Sequence, residues 1–113
     1  MNIIGIGIDI EEVFRFRKLP YKKNKNFYAK IFTADEIKYC LAKPDPYPHF
    51  CARFSAKEAV IKAMPKPVHP KDIEILFRNA KISARIKNRA SPNIFVSISH
   101  SRKYSTAVAL FAK

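Results

Sequence analysis

Residues 52–63 read Ala-Arg-Phe-Ser-Ala-Lys-Glu-Ala-Val-Ile-Lys-Ala, and everything else in the chain can be arranged around this run. It consists almost wholly of good helix formers, with no glycine or proline, and predicts a helix of about three turns. Ala52, Ala56, Ala59 and Ala63 fall on one stripe, and a stripe of methyl groups lets a neighbouring backbone approach closely. Glu58 and Lys62 lie one turn apart on an adjoining face, flanked by Phe54 and Ile61. Taken alone, such a pair is a solvated surface contact worth about 0.2–0.5 kcal/mol. A functional reading needs support from elsewhere in the chain.

The first support is bulk character. The chain has 113 residues, the length of one domain, 1–113, with no room for a second. A hydrophobic fraction of 48%, with nine Phe and five Tyr, is enough to fill a core. No run reaches the roughly 18 apolar residues that cross a bilayer. The start carries no basic segment followed by an apolar stretch, so no secretory leader is read and a cytoplasmic protein is expected. Cys40 and Cys51 match no metal-ligand spacing and read as reduced thiols. The net charge of +13, from 22 Lys and Arg against nine Asp and Glu, is the outlier. It attracts polyanions of several kinds without choosing among them.

The second support is the N-terminal segment. Residues 2–13 alternate β-branched residues and predict a strand. Its even positions are Ile4, Ile6, Ile8 and Ile10, taken as the buried face. Its odd positions are Gly5, Gly7, Asp9 and Glu11, so both glycines of the chain share a face with Asp9. Glycine in a strand marks a place where a ligand or another backbone comes close. No dinucleotide fingerprint and no P-loop can be built from Gly5 and Gly7. Asp9 is either a functional carboxylate or simply the partner of a lysine.

From Arg15 to Lys30 runs a basic block without a single acid, interleaved with Phe14, Phe16, Leu19, Tyr21, Phe27 and Tyr28. It predicts a short helix, a turn and a second helix. Basic plus aromatic character suits nucleic acid or an acidic protein helix equally well. In residues 32–42, Thr33 and Glu36 form a capping box, with Phe32 placed to staple onto Ile37. Residues 43–50, with Pro44, Pro46 and Pro48, read as a stiff connection into a helix over 50–64, which Pro65 and Pro67 stop.

Strands are expected at 72–77, 81–87, 94–100 and 104–111, the last central or covered on both sides. Turns are expected at Arg78-Asn79 and at 88–93. Between the final two strands, His100 and Ser101 should meet Arg102 and Lys103 at a sheet end. A lone histidine is more often structural, yet one among hydroxyls and cations makes a phosphate cradle.

Four pieces stand in order: Gly7-Ile8-Asp9-Ile10 with Arg15 beyond it, Phe32-Thr33-Ala34-Asp35-Glu36, the 52–63 run, and Ser97-Ile98-Ser99-His100. Together they closely resemble the holo-acyl-carrier-protein synthase group of 4′-phosphopantetheinyl transferases, over practically the whole chain. The resemblance implies an α+β fold in which an antiparallel sheet packs against a long central helix and short helices. It implies transfer of 4′-phosphopantetheine from coenzyme A to a serine of an apo acyl carrier protein, releasing adenosine 3′,5′-bisphosphate. It further implies Mg²⁺ held by Asp9 and Glu58, with Lys62 on the same phosphates and Glu58 as the candidate base. Arg53, Ser99, His100 and Ser101 would meet the adenosine 3′-phosphate, and Arg15, Phe16 and Leu19 the acidic carrier. Gly5 and Gly7 would leave open space near the diphosphate, and Ala59 would let the helix approach the strand.

Arg53 is nearly opposite Glu58 on the helix, which fits the family's homotrimer with sites between subunits. The chain departs from the family pattern at Met64-Pro65-Lys66-Pro67, where a glycine is usual, and near 78–81. The competing reading is a small non-enzymatic nucleic-acid binder that uses its charge and needs neither Asp9 nor Glu58. No membrane partner is expected.

Overall fold

A computed structural model describes residues 2–113. Strand β1 (Ile3–Glu12) leads directly into helix α1 (Val13–Arg17). A 3₁₀ turn at Tyr21–Lys23 and helix α2 (Lys25–Ile31) complete the basic block. Helix α3 (Ala34–Leu41) follows the expected capping box: Thr33 Oγ1 accepts from Glu36 N, and Thr33 N donates to Glu36 Oε1 at 2.9 Å. The central helix α4 (Tyr47–Ala63) begins three residues before the expected start. Pro48 lies in its first turn, where no intrahelical N–H is required, so this proline opens the helix instead of preceding it. Met64, extended and ahead of Pro65, ends it as expected.

The strands form two antiparallel three-stranded sheets. One has the order β1-β6-β5, with β5 (Ile94–His100) and β6 (Tyr104–Ala112); the other has the order β2-β3-β4, with β2 (Ile73–Arg78), β3 (Lys81–Ile86) and β4 (Arg89–Ala90). The β2–β3 turn is Asn79-Ala80 and the β3–β4 turn is Lys87-Asn88, all four with positive φ. These are the mirror-image two-residue turns that match strand twist. The first falls one residue beyond the expected Arg78-Asn79; the second lies at the start of the span expected as one turn, 88–93, which also holds the two-residue β4 and the loop before β5. The last strand, β6, is central as expected, but its outer face is open at Val108.

Helix α4 lies against the β1-β6-β5 sheet through Ala56, Ala59 and Ala63, which pack with Ala107, Ala109 and Ile94. A second core gathers Phe16, Tyr28, Phe32, Phe50 and Phe54 between the short helices and the start of α4. The two cores meet along one helix.

Strand β1 corrects the expectation for its two faces. Ile6, Ile8 and Ile10 are 65%, 66% and 64% exposed, whereas Gly7 is buried. The alternation holds, but the buried side is the glycine side. A helix can be brought against a strand only where the strand has no side chains in the way. Here that face is Gly5 and Gly7, with the carbonyls of Ala63 and Ala59 filling the space where their β-carbons would stand.

One buried ion pair ties the layers together. Lys57 Nζ lies 2.6 Å from Glu36 Oε1, both side chains almost wholly inaccessible. Lys57 also donates to the carbonyls of Ile31, Pro70 and Ile73. Glu36 Oε2 accepts from Ile75 N at 2.9 Å, so the residue that caps α3 also anchors β2. Burial holds the Lys57 ammonium below the usual lysine range, with Glu36 opposing.

Candidate active site

The seam between β1 and α4 sets the first cluster. Because Gly5 and Gly7 admit the helix, the next residue on that face, Asp9, comes up beside the last turns of α4. Lys62 Nζ donates to Ile8 O at 2.8 Å and lies 3.4 Å from Asp9 Oδ1. The open space expected at the two glycines is therefore absent: helix backbone fills it. Ala59 does permit the close approach.

Asp9 itself is held by its backbone, since Thr106 Oγ1 donates to Asp9 O at 2.8 Å. Its Oδ2 is buried and has no hydrogen-bond partner among the described residues. Lys62 reaches across to Asp9 and makes no ion pair with Glu58, so the bland helix-surface pair does not form. Burial raises the half-buried Glu58 carboxyl above the usual range; the Asp9 charge adds to this, while Lys62 and Arg15 oppose it.

Glu11 is a second carboxyl on the strand face of Asp9, given no role by the sequence reading. Burial and then the neighbouring Asp9 push it up to about 7. Arg15 Nη1 donates to Glu11 Oε1 at 3.0 Å and works the other way. The signal was available: Glu11 continues the period-two row of Gly5, Gly7 and Asp9.

These donors fit a hard divalent cation. No group of three or more ligating side chains stands together among the described residues. Mg²⁺ needs only one or two carboxylates, since substrate phosphates and water supply the rest. The orphaned Asp9 oxygen and the mutual repulsion of Asp9 and Glu58 are the features a bound cation would relieve.

A second cluster occupies the other side of α4. A cavity of about 330 Å³ is lined by Arg53, His49 and His100 with Tyr39, Phe77 and Ile98. The Arg53 guanidinium sits between two rings, 4.2 Å from the centre of Tyr39 and 4.4 Å from that of Phe77. None of Asp9, Glu58 and Lys62 lines this cavity, as the helical wheel requires. His100 points to the helix side of β5, whereas Ser99, opposite Thr106 in the register, points to the outer face. Ser101 lies in the β5–β6 turn, its Oγ accepting from Tyr104 N at 3.2 Å. Of the four residues expected at the adenosine phosphate, only Arg53 and His100 share this cavity.

The expected docking residues also divide. Arg15 and Leu19 line an open cleft of about 520 Å³ with Phe14, Lys18 and Ile10. Phe16 cannot take part: it is fully buried, edge-on to Phe54 at 5.6 Å in the aromatic core. In a short helix of alternating aromatic and basic residues the inward ring is fixed by packing against α4, and the outward one is Phe14, 64% exposed.

In this α+β chain a glycine-bearing strand docks on an alanine-striped helix, with a carboxylate pair and a lysine at their seam and an arginine–histidine cavity on the helix's other side. Residues 5–109 match the 4′-phosphopantetheinyl transferase superfamily. A holo-[acyl-carrier-protein] synthase of Chlamydia caviae is 43% identical, with 97% of this chain and 98% of that protein covered. One of Thermodesulfovibrio yellowstonii is 41% identical over 93% and 95% of the two chains. The crystal structure of a Bacillus anthracis holo-(acyl-carrier-protein) synthase in complex with CoA (3′,5′-ADP) aligns at a TM-score of 0.80 and 28% identity, covering 98% of this chain and 97% of that one. The chain belongs to the 4′-phosphopantetheinyl transferase superfamily, in its holo-acyl-carrier-protein synthase group, and is an enzyme.

Proposed function

We propose that the chain transfers the 4′-phosphopantetheine group of coenzyme A to a serine of an acidic apo acyl carrier protein, in an Mg²⁺-dependent reaction in the cytoplasm that releases adenosine 3′,5′-bisphosphate. The observation that carries this reading is the buried, unpartnered Asp9 oxygen beside Glu58 and Lys62, in a chain whose relatives bear that activity in their names.

Asp9 and Glu58 would hold the metal, which when bound supplies positive charge against the diphosphate oxygens. Lys62 is half exposed; it swings from Asp9 onto the diphosphate and stabilises charge on the leaving phosphate. Glu58 takes the proton of the carrier serine as the serine oxygen bonds to the phosphorus and the bond to the adenosine 5′-phosphate breaks. Arg53 and His100 anchor the adenosine end.

Arg15 and the cations around it steer the acidic carrier, with Phe14 and Leu19 as apolar contacts; this raises the association rate more than the affinity. A homotrimer is supported by two features. The Ile6, Ile8 and Ile10 face is open, and the two clusters lie on different sides of α4, so a site using both draws on neighbouring subunits. The test is mass spectrometry of an apo acyl carrier protein incubated with the protein, coenzyme A and Mg²⁺. Addition of one phosphopantetheine group, abolished by EDTA, is expected; no addition on several carriers rejects the reading.

A further inference from the structure

We infer that His49 is a third donor, with Arg53 and His100, to the phosphomonoester on the ribose of coenzyme A, and so a specificity-determining residue for this substrate. The inference rests on the transfer reading above and adds a residue to it.

His49 lies in the first turn of α4, four residues before Arg53, so both point to the same side of the helix. The cavity they line with His100 has no carboxylate in its wall; Asp35, Glu36 and Glu74 border Arg53 from a separate cavity without pairing with it. Arg53 is only 3% exposed. Among the described residues it makes no ion pair, and its Nε is buried without a hydrogen-bond partner. A buried guanidinium is expensive unless its charge and its N–H groups are answered. The rings of Tyr39 and Phe77 answer part of the charge and none of the hydrogen bonding. What is missing is an anion with several acceptor oxygens.

Three nitrogen-bearing side chains around one cavity suit a phosphomonoester better than a single-acceptor group. The remaining wall of Tyr39, Phe77, Ile82 and Ile98 is apolar, as a nucleoside bearing that phosphate requires. The volume of about 330 Å³ lies at the small end of ligand sites. His49 has its own reason to welcome an anion. Burial first, then Lys43, Arg53 and His100, hold its imidazole below the usual range, and only Asp45 opposes them. Its ring packs edge-on at 6.2 Å from Tyr39, which fixes where it points.

The experiment compares coenzyme A with dephospho-coenzyme A, which lacks the ribose phosphomonoester, in the wild type and in His49→Ala and His49→Gln. The KM for coenzyme A should rise about tenfold with kcat nearly unchanged, the loss of one hydrogen bond to a charged group. The KM for dephospho-coenzyme A should not move. An equal rise with both substrates, or none with either, overturns the assignment. Calorimetry of adenosine 3′,5′-bisphosphate against adenosine 5′-monophosphate separates this from the transfer reading. If no carrier is modified, preferential binding of the bisphosphate by the wild type and its loss in the variants still uphold the site. Failure of the wild type to prefer the bisphosphate overturns it.

Discussion

The carbonyl oxygen of Ala59 stands where a β-carbon on Gly7 would have to be, and that of Ala63 does the same for Gly5. This contact sets the distance between β1 and α4, and through it the meeting of Asp9 with Lys62. A β-carbon at position 7 faces backbone, which cannot step aside as a side-chain tip can. Gly7→Ala should therefore destabilise the protein by about 3 kcal/mol or more, read from urea unfolding. A loss under about 1 kcal/mol would mean that the seam is looser than this contact implies.

The Glu36–Lys57 pair should behave as a coupled unit. Glu36→Gln leaves the Lys57 ammonium buried with only carbonyls for company, and Lys57→Met strands the Glu36 carboxylate. Each single change should cost about 3 kcal/mol. The double variant should cost clearly less than the sum, because it leaves no unpaired buried charge. A double-mutant cycle by denaturant unfolding measures this, and additive losses would show that the two charges do not depend on each other.

Much of this architecture could be read from residues alone. Thr33 and Glu36 announced their capping box because that chemistry is local, and the alanine stripe announced a close neighbour. What failed was the choice between faces of β1. Alternation fixes which residues share a side, not which side meets the core, and four isoleucines outweighed the clue that only glycines admit a helix. Phe16 and Phe14 could not be told apart for the same reason. Lys57 was invisible because a helical lysine is ordinarily solvated, and only the tertiary approach of Ile31, Pro70 and Ile73 makes its burial possible. In the site, Ser99 and His100 are neighbours on a strand, so their divergence to opposite faces follows from strand alternation alone. The Arg53 cavity could not be read this way, because Tyr39 and Phe77 come from other elements.

Metal dependence should appear without any turnover. Asp9 carries an unpartnered buried oxygen, and Glu58 is held above its usual range in part by the charge of Asp9. Mg²⁺ should raise the melting temperature of the wild type and leave Asp9→Asn and Glu58→Gln unmoved. Both variants should lose transfer by about 100-fold or more. A Glu58→Gln protein that keeps the Mg²⁺ shift would remove Glu58 from the metal.

Acid should weaken the fold through His49. Its pKa in the folded protein lies below the ordinary 6.5, so the unfolded chain takes up a proton that the folded one resists. The sign follows: this contribution is intact above pH 6.5 and is lost as pH falls through the folded value. Thermal unfolding followed from pH 7.5 down to 5.5 should show a steeper fall in the wild type than in His49→Gln. Adenosine 3′,5′-bisphosphate should shrink that difference by favouring the charged imidazole. Parallel curves for the two proteins would show that neither burial nor the cations around His49 perturb it.

The open isoleucine face should be the seat of assembly. Ile6, Ile8 and Ile10 lie beside Val108 and Phe95, the latter 46% exposed, in one continuous apolar surface. Contiguous apolar area of this kind marks an interface. Ile8→Lys should leave the secondary structure intact and convert a trimer to a monomer in light scattering, with loss of transfer. A site shared between subunits makes a sharper demand. Asp9→Asn and His100→Ala proteins, each impaired alone, should regain activity when co-expressed, because some interfaces then pair an intact Asp9 cluster with an intact His100 cavity. Activity no better than the average of the two parents would place both clusters in one subunit's site, and the open face would then have to serve another partner.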